Sequence, residues 1–163
     1  MSRAYRTLPS ASELWKLFDY SVITGKVFYK TGTKKGCPVG GHSSKSKHRI
    51  NVRINNTAFG LHQVVWKMVT GTEAGMRVDH ADKNPHNNAW LNLRLATHAQ
   101  NMKNRKNIKG CYKHSTGKGW VAQITNDGQW QYLGYFSTQA EAEAAHKKAS
   151  LELHGAFSPY SDE

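Results

Sequence analysis

Cysteine is scarce in this chain. Cys37 and Cys111 lie far apart, and no C-x-x-C pair occurs. That excludes a cysteine zinc site and a disulfide framework, and it fits a reducing, cytoplasmic setting. Long apolar runs are missing too. None approaches the roughly 20 residues that cross a bilayer, and the opening MSRAYRTLPSASELW lacks the apolar core of a secretory signal. Acidic residues are few, 11 against 23 Lys and Arg, so the 163 residues carry +12. Between Lys26 and Arg53 there are eight Lys and Arg and no Asp or Glu. The whole excess falls in residues 1–105, with 17 basic and 5 acidic side chains, while residues 106–163 hold six of each. Such asymmetry is the footprint of a polyanion binder, nucleic acid first. A membrane partner would want a basic amphipathic helix, and the basic stretch is not helical in pattern. At 38% hydrophobic residues the chain has enough apolar material for one medium domain or two small ones.

What is present reads as mixed helix and strand. Ser10-x-x-Glu13 is a capping box ahead of Leu14, Trp15, Leu17 and Phe18 at helical spacing. Val27-Phe28-Tyr29 is a strand by composition, and residues 31–47 read as a Gly-, Ser- and Lys-rich loop. From Arg49 to Ile54 the pattern alternates, with Ile50, Val52 and Ile54 on one face and Arg49, Asn51 and Arg53 on the other. Asn55-Asn56 predicts a tight hairpin turn, and Leu61 to Val69 a short apolar helix stopped by Gly71. Residues 75–105 predict a strand ending at Asp79-His80, an Asn-rich loop from Ala81 to Asn92, a strand over Leu93–Ala96, and a helix capped by Thr97-x-x-Gln100. Charge and periodicity change at the basic segment that follows, which places a domain junction after residue 105. Residues 106–163 predict three strands, then a helix from the Thr138-x-x-Glu141 box to Gly155, its inner face made of Ala142, Ala145 and Ala149.

The residues at 79–101 carry a legible chemistry. Phosphodiester hydrolysis needs an activated water, charge relief in the transition state and a stabilised leaving oxygen. His80 supplies a neutral imidazole as general base. Asp79 and Asn101 offer hard oxygen donors suited to Mg²⁺ or Mn²⁺, which would meet the other two needs. Asn92 can hydrogen-bond across the loop and hold it closed.

The succession Val78-Asp79-His80, Asn87-Asn88, Asn92-Leu93-Arg94, Thr97-His98 and Asn101 resembles the HNH endonuclease family, in particular its phage-borne and intron-associated homing members. Leu61-His62-Gln63-Val64-Val65-Trp66 resembles that group's helix, with Gln63 where arginine is usual. Leu17 to Lys30 resembles its N-terminal hairpin, so the likeness spans about residues 14–105. It implies a ββα-metal (His-Me finger) nuclease domain with His80 as base, Asp79 and Asn101 as metal ligands, and Asn92 as the brace of the loop. His98 and His62 are further candidates for a metal or phosphate contact. Arg49, Arg53, Arg94, Lys103 and Arg105 are candidates for holding phosphates, which position without reading sequence.

Gly110-Cys111-Tyr112, Trp120 to Ile124, Leu133 to Phe136 and Ala140 to Ala145 resemble the Apetala-type DNA-binding domain of ethylene-response factors. That likeness implies a three-stranded sheet on one helix, with the outer sheet face toward DNA. Alternation puts Trp120, Ala122 and Ile124 toward the helix and Val121, Gln123 and Thr125 outward, joined by Tyr112, His114, Trp130 and Tyr132. The arginines usual on this face are absent.

The expectation is therefore an α+β chain with a nuclease domain over 1–105 and a small DNA-binding domain over 106–163. It would be a monomeric, metal-dependent endonuclease of the homing type acting on double-stranded DNA in a bacterial cytoplasm, phage-encoded, with neither a membrane nor a small-molecule substrate. The rival expectation is a non-catalytic DNA-binding regulator that keeps the nuclease fold as a scaffold.

Overall fold

The computed structural model describes residues 7–40, 49–103 and 110–161. The chain divides into two compact units, residues 1–96 and 97–163. This division falls ahead of the junction expected after residue 105, because the short helix at 98–103 groups with the second unit.

In the first unit, helix α1 (Ala11–Leu17) starts at the Ser10 capping box, whose hydroxyl and Glu13 satisfy each other's backbone amides. It leads into an antiparallel hairpin of β1 (Phe18–Tyr20) and β2 (Val27–Tyr29). A second hairpin joins β3 (Asn51–Ile54) to β4 (Thr57–Gly60). Its two turn residues, Asn55 and Asn56, both hold positive φ (47° and 61°), the geometry a two-residue primed turn demands and asparagine tolerates best after glycine. Val52 and Ile54 are buried while Asn51 and Arg53 are exposed, as the alternation predicts.

Helix α2 (Leu61–Thr70) follows at once and ends on a left-handed Gly71. Leu61, Val64, Val65 and Met68 form its buried stripe, at one-turn spacing. They pack with Leu14, Phe18, Val27, Val39, Phe59, Val78 and Leu93 into one core. Strands β5 (Arg77–His80) and β6 (Leu93–Ala96) then pair antiparallel, with His80 opposite Leu93 at the open end.

In the second unit, α3 (His98–Lys103) begins with the reciprocal bonds of Thr97 and Gln100. A three-stranded antiparallel sheet follows, ordered β7 (Cys111–Lys113), β8 (Trp120–Asn126) and β9 (Gln129–Phe136), with α4 (Gln139–His154) packed on it. The inward stripe of α4 differs from the expected all-alanine face. It consists of Ala142, His146 and Ser150. Gly110 makes room for the imidazole, since a Cβ there would come within 1.9 Å of His146 Cδ2. The polar atoms are satisfied by the tail after the helix: His146 Nδ1 meets the Tyr160 hydroxyl at 3.2 Å, and Ser150 meets Ser158 at 2.9 Å.

Candidate active site

The end of β5 and the loop after it build the site in the first unit. Asp79 and His80 are both buried, at 6% and 3% exposure. His80 Nε2 lies 3.2 Å from Asn88 Oδ1. The Asn88 amide nitrogen is engaged with the His86 carbonyl, so its oxygen faces the imidazole and accepts from it. That fixes the tautomer: the proton sits on Nε2, and Nδ1 carries the lone pair. Burial holds His80 below the ordinary imidazole range, against the opposing pull of Asn88 and the charges of Asp79 and Asp82. A neutral imidazole at neutral pH is the state a general base requires.

The loop from Ala81 to Asn92 is a chain of short side-chain turns. Asp82 accepts from the Asn84 amide, Asn84 from His86, and Asn87 from Ala89, each two residues on. Asn92 closes the loop from the far end. Its oxygen accepts from the Asp82 amide at 2.9 Å, and its nitrogen donates to Asp82 Oδ1 at 2.9 Å and to the Asn87 carbonyl at 2.7 Å. Asn92 thus ties the two ends of the loop together. Asp82, the hub of that brace, was not anticipated. Its signal was present in the sequence as Asp and Asn at 82, 84 and 87, the spacing of successive self-bonding turns. From outside the loop, Tyr20 donates to the Asn88 carbonyl at 2.9 Å, and Trp66 packs at a tilt against Trp90 with ring centroids 5.1 Å apart.

His62, on the first turn of α2, puts its ring 5.5 Å from that of His80. Burial first, then the nearby positive charge of Arg49, pushes it down to about 3. Arg49 itself is exposed, and its charge also bears on His80. Arg53 is exposed on β3. Arg94 pairs with Asp79 at 3.4 Å, an engagement the sequence reading had not assigned it. Asp79 offers a hard carboxylate oxygen. Among the described residues no three His, Cys, Asp or Glu side chains gather as a metal-binding group. This donor chemistry fits Mg²⁺, which takes one or two protein oxygens and keeps the rest of its shell for water and phosphate.

Asn101 and His98 lie on α3 in the second unit, Asn101 half-buried and His98 exposed. Lys103 is occupied within that unit, donating to Asn126 at 2.6 Å and pairing with Asp127 at 3.0 Å. Arg105 lies outside the described residues.

On the sheet, Tyr112, Val121 and Tyr135 are direct cross-strand partners and so share the outer face. Val121 is nevertheless buried, at 4% exposure, which corrects its expected exposure to solvent or DNA: it lies between two tyrosines. A bulge between Ala122 and Gln123 then shifts the register, so that Gln123 pairs with Tyr132 and Thr125 with Trp130. Strict alternation would have set Tyr135 against Tyr132 and Trp130. The bulge at Leu133-Gly134, with Gly134 at φ +139°, brings all three to one side. Trp130 Nε1 donates to Gln123 Oε1 at 2.8 Å, and His114 meets Tyr135 edge-on at 5.4 Å.

No curated protein matches the chain. A solved structure described as "DNA binding and cleavage by the HNH homing endonuclease I-HmuI" is 24% identical, covers 84% of each chain, and gives a TM-score of 0.40. Residues 59–103, from β4 through α3 and including Asp79, His80, Asn88 and Asn92, match the model of the HNH endonuclease family.

Proposed function

We propose that the chain is a metal-dependent DNA endonuclease of the HNH type that hydrolyses phosphodiester bonds in double-stranded DNA. The observation that carries this reading is the buried His80, set in one tautomer by Asn88 and kept neutral by burial, inside the segment that matches the HNH endonuclease family.

In this reading His80 Nδ1 takes the proton of the attacking water while Nε2–H stays on Asn88. Asn88 and Asn92 are positioning residues: the first aims the base, and the second holds the loop that carries the first. Asp79 and Asn101 would hold a divalent ion, Mg²⁺ or Mn²⁺. Such an ion, when bound, relieves negative charge on the phosphate and stabilises the leaving oxygen. Arg94 steadies the Asp79 carboxylate. Arg49 and Arg53 supply backbone affinity for the duplex. Residues 106–163 act as an Apetala-type module, and the outer face of their sheet, with Gln123, Thr125, Trp130, Tyr132, Tyr112 and His114, chooses the site in the manner of a homing enzyme.

Replacing Asp79 or Asn101 by alanine tests the ligand pair. Each variant is expected to lose Mg²⁺-dependent cleavage while still retaining DNA in a mobility-shift assay. Full activity in both removes the metal site from the mechanism.

A further inference from the structure

Two large aliphatic side chains of the first unit stand almost wholly in solvent: Leu91 at 95% exposure and Ile23 at 89%. Single exposed apolar residues are ordinary. These two are not placed at random. Ile23 is at the tip of the β1–β2 hairpin, and Leu91 is in the short helical turn Trp90–Asn92 that closes the Asn-rich loop. The two tips are tied together, because the Trp90 amide donates to the Val22 carbonyl at 3.0 Å, and Ile23 and Leu91 are the next residues after that pair.

Both tips are tied down by contacts with their neighbours. Gly25 lies so close to the catalytic loop that a Cβ there would come within 2.2 Å of the Ala89 nitrogen. Ser21 closes the hairpin turn on Gly25 and Lys26. Trp90 packs at a tilt against Trp66, and Val22 adds a further exposed apolar side chain at 48%. Leu91 sits between Asn88, which holds His80, and Asn92, which holds the loop. From Lys26 to Arg53 the sequence has eight Lys and Arg and no Asp or Glu, which suits a polyanion.

Resting on the nuclease reading, we propose that Ile23 and Leu91 form an apolar wedge that enters a base step of duplex DNA next to the phosphate to be cut. Apolar side chains on rigid supports unstack and kink a duplex in this way, and the kinked DNA then wraps more protein surface. Leu91 lies on the loop whose Asn88 holds His80, so insertion would bring the backbone toward His80. The lysines and arginines of the first unit take the phosphates, and the wedge takes the bases.

The test uses the full chain in EDTA, so that binding is read without cleavage. The probes are a short duplex with a donor and an acceptor dye at its ends, and the same duplex with one unpaired base that already opens the stack. The wild-type chain is expected to bind the intact duplex and shorten its end-to-end distance. The double variant Ile23→Ser, Leu91→Ser should bind the intact duplex about tenfold more weakly and bend it less. It should bind the bulged duplex within about twofold of wild type, and the salt dependence should be unchanged, because every phosphate keeps its cationic partner. Both residues are exposed, so the melting temperature should not move.

Unchanged binding and bending in the variant, equal loss on both duplexes, or absence of DNA binding by the wild type each overturns the wedge. So does a concentration-dependent wild-type dimer in sedimentation that the variant abolishes, since the patch would then be an interface between copies. A wild type that bends DNA in EDTA but never cuts it with Mg²⁺ supports the wedge and removes the nuclease reading, so the two failures are distinguishable.

Discussion

At the scale of single residues, the site depends on one hydrogen bond and one buried pair. Asn88 fixes which nitrogen of His80 carries the proton, so Asn88→Ala should slow cleavage about tenfold or more while DNA binding persists; single-turnover kinetics at saturating enzyme would read this. The neighbouring His62 gives a stability signature. Its folded-state value lies near 3, far below the 6.5 of an exposed imidazole, because of burial. The unfolded chain therefore binds the proton more readily. The stabilising contribution is complete above about pH 6.5 and is lost progressively as pH falls toward 3. Thermal melts between pH 7 and pH 4 should show the midpoint falling, by roughly 4–8 °C for each kcal/mol lost in a unit of this size. His62→Gln should flatten that slope; an unaltered slope would assign the acid lability elsewhere. The strand that ends at Asp79-His80 and the Asn-rich loop up to Asn92 were legible from residue type and spacing. The partnership of Arg94 with Asp79 was not, because it joins facing positions on two strands fifteen residues apart and depends on the register of β5 against β6.

At the scale of elements, local signals were read well wherever the physics is local. The boxes at Ser10, Thr97 and Thr138, the Asn55-Asn56 turn and the Gly71 stop all depend on bonds within a few residues, and each is present. What sequence reading missed is set by distant partners. The inward His146 needs Gly110 and Tyr160, and the burial of Val121 needs two tyrosines from neighbouring strands. The register shift at Leu133-Gly134 defeats period-two counting outright. Two tests follow at this scale. Asn92→Ala removes three hydrogen bonds from the Asn-rich loop and should cost about 1–3 kcal/mol in denaturant unfolding, with faster amide exchange over 82–92. Gly134→Val puts a branched side chain where φ is +139°, and should destabilise the second unit by about 1–3 kcal/mol. Wild-type stability there would mean that the bulge is not held as described.

At the scale of the whole molecule, charge and aromatic surface are divided between the two units. The first concentrates positive charge and the imidazole site; the second exposes Tyr112, Trp130, Tyr132 and Tyr135 on a sheet face without arginine. Affinity for duplex DNA should therefore fall steeply with salt. Arg49→Gln with Arg53→Gln should lower the slope of log affinity against log salt by about 1 for each phosphate no longer neutralised. Among the described residues no helix is long and apolar enough to cross a membrane. Whether His80 serves as the base of a metal-dependent cut in DNA is read by plasmid relaxation. Supercoiled plasmid is incubated with the wild-type chain in Mg²⁺, with the wild-type chain in EDTA, and with His80→Ala in Mg²⁺. Nicked or linear product is expected in the first, none in the second, and a rate lower by about 10²–10⁴ in the third, with DNA binding intact. Cleavage by His80→Ala at the wild-type rate, or cleavage by the wild-type chain in EDTA, would contradict that expectation.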